Sequence, residues 1–423
     1  MNEGWSKVPP FVLCKCFFVE DMKTLRNIFT ILLLVAVVSS CGEKKAKYVF
    51  YFIGDGMGFS HVAAAEAYLS QERGVIGMDT LSFTRFPVLG IATTYSASNP
   101  ITCSSAAGTA LSTGTKTNNG MLGVTPDGQP LTSIAYKIHD AGFSVGVTST
   151  VGINHATPAA FYGHSKSRND YYDIIKELPQ TGFEFFAGGG ILSPRGKEKD
   201  QKSAYDIIGE SGYKIAYGIK DFNTKKDSDR FLLVQKEDSE DAVPYAFGRP
   251  EGALTQAQIV EAAIEVLERN EKGFFLMSEG GQIDWAAHSQ DLASTIFEVI
   301  DFSTAIQVAV EFYKKHADET LIVVTADHET GGIALGRHHY TFDMTVIDEL
   351  TSPDAPHSVT DYMSSKEAVN DLNERAGIGW TTFSHCGAPV PVWAIGVGSE
   401  KFAARQDNTD IPKKICSIMG VKF

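Results

Sequence analysis

Two short stretches of this chain place carboxylates and imidazoles at spacings that suit metal ligands. In the first, Asp284 and His288 stand four residues apart, so a helix that begins near Asp284 points both side chains to one face. In the second, Asp327 and His328 directly follow the apolar run 321–324, which is typical of a buried parallel strand. Open α/β sheets bind their ligands at the carboxyl ends of strands. The two stretches therefore predict a catalytic metal site at that edge of a sheet.

Other apolar runs place polar residues in a similar way. One strand-like run stops at Asp55, which lies among glycines that let the backbone turn sharply, and another stops at Glu279. A further run is preceded by His385. An acid can also cap the helix that follows a strand, which is the structural alternative for any single case. The recurrence along the chain favours one shared metal site.

Length and charge limit the class of protein. A chain of 423 residues fits one large α/β domain or two smaller ones. The net charge of −14 argues against nucleic acid as a partner and fits a body that binds cations.

The N-terminal segment has the pattern of a bacterial lipoprotein signal. Lys23 and Arg26 precede the apolar run 28–38, which leads to Cys41 as the residue that would carry the lipid. The run is too short to span a bilayer, and an uncleaved anchor is the alternative. The pattern predicts a misassigned leader over 1–21, a signal peptide over 22–40 and a tether over 41–47. The body is then exported and held by its lipid in the periplasm or at the outer membrane.

Three cysteines remain in the predicted mature body, namely Cys103, Cys386 and Cys416. So few cysteines in an exported fold do not make a disulfide scaffold. Cys103 and Cys386 each neighbour a candidate site residue, so a bridge between them stays open.

Six segments of the chain resemble motifs of the alkaline phosphatase family, and they occur in that family's order. They are residues 52–58, 102–110, 156–168, 279–288, 325–332 and 384–387. The resemblance covers the body from Tyr48 to Phe423 and implies a catalytic domain over 48–423. It implies a doubly wound, three-layer α/β sandwich around a large, mostly parallel sheet. Residues 338–382 have few apolar runs and are predicted to be a variable insertion near the active site, and the polar segment 190–249 carries little pattern.

The resemblance implies that Ser104 is the nucleophile that accepts the phosphate. The Ala-rich segment 105–111 predicts a helix, whose N-terminus offers free N–H groups and a positive dipole to a phosphate. A serine hydroxyl needs a metal or a base to remove its proton, so zinc is the expected activator. Helix capping is the structural alternative for Ser104, and Ser105 is the fallback nucleophile. Arg168 is implied to hold two phosphate oxygens through its forked guanidinium, with a solvated surface charge as its structural alternative.

The resemblance also assigns two zinc ions and one magnesium ion. The implied ligands are Asp284, His288 and His385 for the first zinc, Asp55, Asp327 and His328 for the second, and Asp55, Thr157 and Glu279 for magnesium. Nitrogen and carboxylate donors suit zinc, whereas a set of oxygens suits magnesium. Two metals roughly 4 Å apart can stabilise the attacking and leaving oxygens of an in-line displacement.

Three residues depart from the family's pattern or vary within it. Cys103 stands where many relatives have an aspartate that orients the arginine, which predicts a looser Arg168. His155 and Trp285 stand at two variable positions close to the magnesium and the phosphate, and a histidine at 155 could favour a softer third ion. Their structural alternatives are an ordinary hydrogen bond for His155 and simple packing for Trp285.

The sequence therefore predicts a metal-dependent phosphomonoesterase of broad substrate range that works through a phosphoserine. Its partners would be small phosphate monoesters, with no nucleic acid, and relatives are commonly homodimers. The alternatives are a phosphodiesterase or sulfatase of the same superfamily, and a metal- or phosphate-binding lipoprotein without turnover. The segment 103–107 lacks the proline and arginine of a sulfatase motif, C-x-P-x-R.

Overall fold

Buried aromatic and aliphatic residues form the centre of the sheet. The sequence YVFYFIG makes the first strand with all seven residues buried, and its two parallel neighbours, FFLMSEG and TLIVVTA, are buried along their whole length too. Strands covered on both faces carry such continuous apolar runs. The computed structural model describes residues 44–352 and 359–423. The predicted leader, the predicted signal peptide and Cys41, the predicted lipidation site, lie outside the described residues.

Within that part of the chain, ten of the strands form one sheet in the order β14-β2-β13-β8-β1-β7-β3-β4-β6-β5. The strands are β1 (Tyr48–Gly54), β2 (Val88–Thr93), β3 (Ser144–Ser149), β4 (Phe185–Gly188), β5 (Lys214–Tyr217), β6 (Phe231–Val234), β7 (Phe274–Gly280), β8 (Thr320–Ala326), β9 (Glu329–Thr330), β10 (Ala334–Leu335), β11 (Ile378–Gly379), β12 (His385–Cys386), β13 (Val390–Gly396) and β14 (Ala404–Asp407). Only β13 runs antiparallel to its neighbours in this sheet, so the predicted mostly parallel sheet is confirmed.

Helices cover the faces of the sheet and complete a three-layer sandwich. They are α1 (Phe59–Glu72), α2 (Ser104–Thr113), α3 (Ile134–Asp140), α4 (Ala156–Ala159), α5 (Tyr171–Ile175), α6 (Ala204–Glu210), α7 (Gly218–Phe222), α8 (Gln256–Leu267), α9 (Gln282–His288), α10 (Leu292–Lys315), α11 (Val359–Ser364), α12 (Lys366–Ala376) and α13 (Asp410–Met419). By length and composition α10 could cross a membrane, but 61% of its most apolar window is buried in the molecule. Its contacts with α1, α8 and α9 are those of a core helix.

The register of the three central strands decides where their polar ends lie. Gly54 at the end of β1 is paired with Gly280 of β7 on one side and with Ala326 of β8 on the other. Because the three strands are parallel, Asp55, Glu279 and Asp327 come to one edge of the sheet.

Two segments with little sequence pattern have defined places in the fold. Residues 190–249 contain β5 and β6, which extend the sheet at one edge. Residues 338–382 form a 3₁₀ helix (Met344–Thr351), α11, α12 and β11. This second segment packs on α1, where the Tyr68 hydroxyl donates to Asp348 at 2.8 Å and Gln71 Nε2 donates to the Phe342 carbonyl at 3.1 Å.

Candidate metal centre

The predicted metal ligands meet at the carboxyl edge of the central strands. Asp55 follows β1, Glu279 is the penultimate residue of β7, and Asp327 follows β8; all three are fully buried. Gly56 makes this convergence possible, because its φ of +74° is strained for other residues. A Cβ there would also lie 2.9 Å from the Cα of Asp284.

Asp55, Asp327 and His328 form a first cluster, which we call the inner group. Their candidate ligand atoms lie within 4.8 Å of one another. His328 Nε2 is 3.2 Å from Asp327 Oδ2 and 3.5 Å from Asp55 Oδ1. The other oxygen of Asp327 accepts from the backbone N–H groups of Gly56, at 3.1 Å, and His328, at 2.8 Å. The carboxylate is thereby oriented with one oxygen left for a ligand.

Asp284, His288 and His385 form the second cluster, the outer group. The helix predicted near Asp284 is α9, and it places Asp284 Oδ2 3.4 Å from His288 Nε2. The two imidazoles face each other with 3.1 Å between their Nε2 atoms, and His385 Nε2 is 3.7 Å from Asp284 Oδ1. Tetrahedral zinc at about 2.0–2.1 Å from its ligands sets two nitrogens roughly 3.3 Å apart, so these separations fit one ion.

Backbone carbonyls fix the tautomers of the two outer imidazoles. His288 Nδ1 donates to the Phe383 carbonyl at 2.6 Å, and His385 Nδ1 donates to the Thr102 carbonyl at 2.8 Å. A neutral ring that carries its proton on Nδ1 has its lone pair on Nε2. Two lone pairs and a carboxylate therefore point at the same space, an arrangement that a cation stabilises.

A third group consists of Asp55, His155, Glu279 and Thr157. Asp55, His155 and Glu279 offer ligand atoms within 4.8 Å of one another. Thr157 is the second residue of α4 and is fully buried. The Ser149 hydroxyl donates to one oxygen of Glu279 and leaves the other toward the group.

Buried polar atoms that lack a hydrogen-bond partner among the described residues concentrate in these groups. They include both carboxylate oxygens of Asp55, Oδ2 of Asp327, Oε1 of Glu279, Oγ1 of Thr157 and Nδ1 of His155. A buried polar atom without a partner is costly, and most such atoms in folded proteins are satisfied. The carboxylate and hydroxyl oxygens among them are suitable metal donors, so the residues present fit bound cations.

Burial and mutual repulsion perturb the acids of the site. Burial and the charges of Asp327, Asp284 and Glu279 raise the pKa of Asp55 well above its ordinary value, although Arg168 opposes the rise. Burial raises the pKa of Glu279 to about 7, even though the Ser149 hydroxyl stabilises its charge. Such carboxylates prefer protons in the absence of metal, and cations that replace those protons remove the repulsion.

Ser104 lies at the N-terminus of a helix, the position predicted for the nucleophile. It is the first residue of α2, is 1% exposed, and its Oγ is 3.3 Å from His328 Nε2. The predicted helix 105–111 is confirmed and runs from Ser104 to Thr113. Ser105 has a different environment, because its Oγ is 3.2 Å from Cys103 Sγ.

Arg168 contacts His155. Its Nη2 donates to His155 Nε2 at 2.9 Å, and burial together with the Arg168 charge lowers the pKa of His155 to about 3. The imidazole therefore stays neutral and accepts the hydrogen bond. The prediction that Cys103 leaves Arg168 loosely held did not take this hydrogen bond into account. Trp285 is half-buried, and its ring meets the His155 ring edge-on with 5.7 Å between centroids.

Cys103, Cys386 and Cys416 are free thiols. Cys103 Sγ instead accepts from the Gly120 N–H at 3.1 Å. The bridge left open between Cys103 and Cys386 is not present in this structure.

Thr330 is a site residue that the sequence analysis missed. Its buried hydroxyl donates to Asp284 Oδ1 at 2.5 Å and accepts from His328 Nδ1 at 3.2 Å. It thus connects the outer group to the inner group. With the proton on Nδ1, the lone pair of His328 is on Nε2, the nitrogen that faces Asp55 and Asp327. The available signal was its position two residues after His328, because residues two apart in an extended chain point their side chains to the same face.

Known proteins of one family match most of this chain. The sequence profile of the family described as Alkaline phosphatase matches residues 46–191 and 190–421. Alkaline phosphatase 3 of Bacillus subtilis (strain 168) is 32% identical over 422 residues, which cover 88% of this chain and 89% of the relative. The alkaline phosphatase of Escherichia coli (strain K12) is 27% identical over 439 residues, covering 92% of this chain and 89% of the relative.

Solved structures show the same fold. The cold-active alkaline phosphatase of Shewanella sp. superposes with a TM-score of 0.78 at 29% identity, covering 88% of this chain and 99% of that chain. The alkaline phosphatase of the Antarctic bacterium TAB5 gives 0.74 at 29% identity, covering 90% and 100%. The chain belongs to the alkaline phosphatase family, whose members are metal-dependent hydrolases of phosphate monoesters. The predicted fold class and enzyme class are confirmed.

Proposed function

We propose that this enzyme hydrolyses a broad range of phosphate monoesters through a phosphoserine formed on Ser104. The observation that carries the proposal is the position of Ser104 Oγ, at the start of α2 and 3.3 Å from His328 Nε2. No other serine hydroxyl of the described residues combines a helix N-terminus with a hydrogen-bond distance to one of the candidate metal-ligand imidazoles.

The proposed cofactors are two zinc ions and one magnesium ion. The outer group and the inner group would each hold a zinc ion, and Asp55, Thr157 and Glu279 would hold magnesium. The donor types support this division, and a histidine-to-glutamate variant of the TAB5 enzyme is described with magnesium bound in its M3 site. Bound metals would supply the positive charge that acidifies a hydroxyl or a water and stabilises the phosphoryl transition state.

The chain's own residues then perform an in-line displacement. Ser104 Oγ gives its proton to water and forms a bond to phosphorus while the bond to the alcohol oxygen breaks. The alcohol leaves after it takes up a proton from water. Water next attacks the phosphoserine, so phosphate is released and the Ser104 hydroxyl is restored. Arg168 and the free N–H groups of α2 would hold the non-bridging oxygens in both steps.

Broad substrate range follows from what these residues contact. Ser104, Arg168, the inner group and the outer group would all act on the phosphoryl group rather than on the alcohol. A site that derives its binding energy from the phosphoryl group accepts many leaving groups.

We also propose that the body is exported and lipidated at Cys41, and that it forms a homodimer. The support for export and lipidation is the sequence pattern from Lys23 to Cys41 alone. The support for the dimer is the family resemblance. The mass of the mature N-terminal peptide and the molar mass of the detergent-extracted protein test the two statements.

The mechanism is tested by the variants Ser104→Ala and Ser105→Ala. Ser104→Ala should reduce turnover of p-nitrophenyl phosphate by several orders of magnitude, whereas Ser105→Ala should cost far less. Enzyme trapped with phosphate at acid pH should yield one phosphopeptide, with the phosphate on Ser104. A phosphate mapped to Ser105 would refute the nucleophile, and faster hydrolysis of bis-p-nitrophenyl phosphate would favour a phosphodiesterase.

A further inference from the structure

His288 is the most exposed residue of the outer group. Its side chain is 36% exposed, against 6% for Asp284 and 14% for His385. It is also the last residue of α9, where the helix ends and the chain turns toward α10. Its ring is therefore held on few sides by packing, and its orientation depends on hydrogen bonds.

Hydrogen bonds between Gln290 and the segment 338–382 connect the backbone turn after His288 to the chain that carries the acceptor of its ring. Asn373 Nδ2 donates to the Gln290 carbonyl at 2.8 Å, two residues after His288. Gln290 Nε2 donates to the Thr382 carbonyl at 3.1 Å. The next carbonyl along the chain, that of Phe383, accepts from His288 Nδ1. The backbone turn after His288 and the acceptor of its ring are thus tied to each other.

Gln290 has a backbone conformation that requires such support. Its φ of +55° is in the left-handed region, which is unfavourable for a residue other than glycine. Asn373, which secures the Gln290 carbonyl, is only 5% exposed and lies on α12. Both ends of its amide are engaged, because Oδ1 accepts from Trp380 Nε1 at 3.1 Å.

Trp380, which donates to Asn373, is itself held against the end of β9. Its ring packs so closely on Gly331 that a Cβ there would lie 2.7 Å from the indole. Asn373 is therefore connected to the segment after the outer group through Gln290 and to the segment after the inner group through Trp380. Nothing in its surroundings suggests a role at the surface.

We propose that Asn373 and Gln290 are positioning residues that fix the His288 ring for the metal of the outer group. This inference rests on the proposed function, since it assumes that the outer group binds zinc. The segment 338–382 thereby gains a specific role, because it supplies the hydrogen bonds that a terminal helix residue cannot obtain from its own helix.

The test compares two identical substitutions on α12. Asn373→Asp replaces the Nδ2 donor with an oxygen that faces the Gln290 carbonyl, and leaves Oδ1 to accept from Trp380. Asn370→Asp makes the same chemical change on the exposed side of the helix, one turn earlier. Competition with a chelator should show one zinc ion bound about 10- to 100-fold more weakly in Asn373→Asp and unchanged in Asn370→Asp.

Two further measurements separate positioning from loss of folding. The metal-free Asn373→Asp protein should still unfold in one cooperative transition, at a lower temperature than Asn370→Asp because a buried hydrogen-bond donor is lost. The visible absorption of the cobalt-loaded protein, which reports ligand geometry, should change only in Asn373→Asp. Gln290→Leu removes the donor to Thr382 without altering Asn373 and should weaken the same zinc ion, so it serves if Asn373→Asp does not fold.

The outcomes distinguish this inference from the proposed function. His288→Ala should lose the weakened zinc ion altogether. Wild-type zinc binding in His288→Ala would refute the outer metal and with it the proposed mechanism. Weakened binding in His288→Ala, with wild-type affinity and cobalt absorption in both Asn373→Asp and Gln290→Leu, would overturn the positioning role alone.

Discussion

Thr330→Val removes a hydroxyl that contacts a ligand of each proposed zinc site. Valine is β-branched like threonine, so the shape of residue 330 changes little. What disappears is the hydroxyl, which donates to Asp284 Oδ1 at 2.5 Å and accepts from His328 Nδ1 at 3.2 Å. Thr330 is fully buried, so water cannot easily replace it.

The size of the effect follows from the charged partner. A hydrogen bond to a charged group contributes about 1.5–3 kcal/mol, and about 1.4 kcal/mol corresponds to a tenfold change in affinity. We therefore expect Thr330→Val to weaken zinc binding by roughly 10- to 150-fold. The loss of the acceptor for His328 Nδ1 should also free that ring to rotate. Both zinc ions, rather than one, should be affected.

The assay is competition for zinc with a chelator of known affinity, combined with kcat/KM on p-nitrophenyl phosphate at saturating zinc. The matched control is Thr320→Val at the start of β8, the end of the strand away from the metal centre, where the buried hydroxyl donates to the His316 carbonyl at 2.8 Å. This control should lose some thermal stability and retain zinc affinity. Equal zinc affinities in the two variants would show that Thr330 does not hold the ligands and would refute the reasoning.

Three further perturbations have definite expected outcomes. Chelation should abolish activity and lower the melting temperature, because Asp55, Glu279 and Asp327 then repel one another; full activity of the chelated protein would exclude the metal mechanism. Arg168→Ala should weaken inhibition by phosphate about 10- to 100-fold, measured as the inhibition constant, because a charge-assisted contact is lost; unchanged inhibition would place Arg168 outside the site. Burial and the charge of Asp301 raise the pKa of Glu298 to about 8, so the folded state holds a proton that the unfolded state releases from about pH 4.5 upward. Stability should therefore fall as pH rises from about 4.5 to 8, and Glu298→Gln should reduce that slope in denaturant titrations at several pH values.

The sequence predicted the acids of the site because each is marked locally. Asp55 and Asp327 follow continuous apolar runs that can form only buried strands, and Glu279 lies near the end of another. Parallel strands bring their carboxyl ends to one edge whatever the details of the loops. The pairing of Gly54 with Gly280 and Ala326 was the only further condition, and the sheet meets it.

The groups that orient the ligands had no comparable signal. The Phe383 and Thr102 carbonyls fix the tautomers of His288 and His385, yet every residue carries a carbonyl, so residue type says nothing about this role. Asn373 is one amide in a polar helix. Its proposed role depends on its hydrogen bond to Gln290, which lies 83 residues away along the chain. Such contacts depend on how the segment 338–382 packs, which local patterns do not determine.

In the proposed mechanism, His155 would link phosphate binding to the choice of the third metal. A neutral imidazole has a single nitrogen lone pair, and here Nε2 uses it to accept from Arg168 at 2.9 Å. A metal ion bound through His155 would need that same lone pair, either on Nε2 directly or on Nδ1 after the proton moves to Nε2. In both cases Arg168 loses its acceptor. An ion that takes only the oxygens of Asp55, Thr157 and Glu279 leaves the contact intact, so magnesium is compatible with an oriented Arg168, whereas a softer ion that recruits His155 releases the arginine.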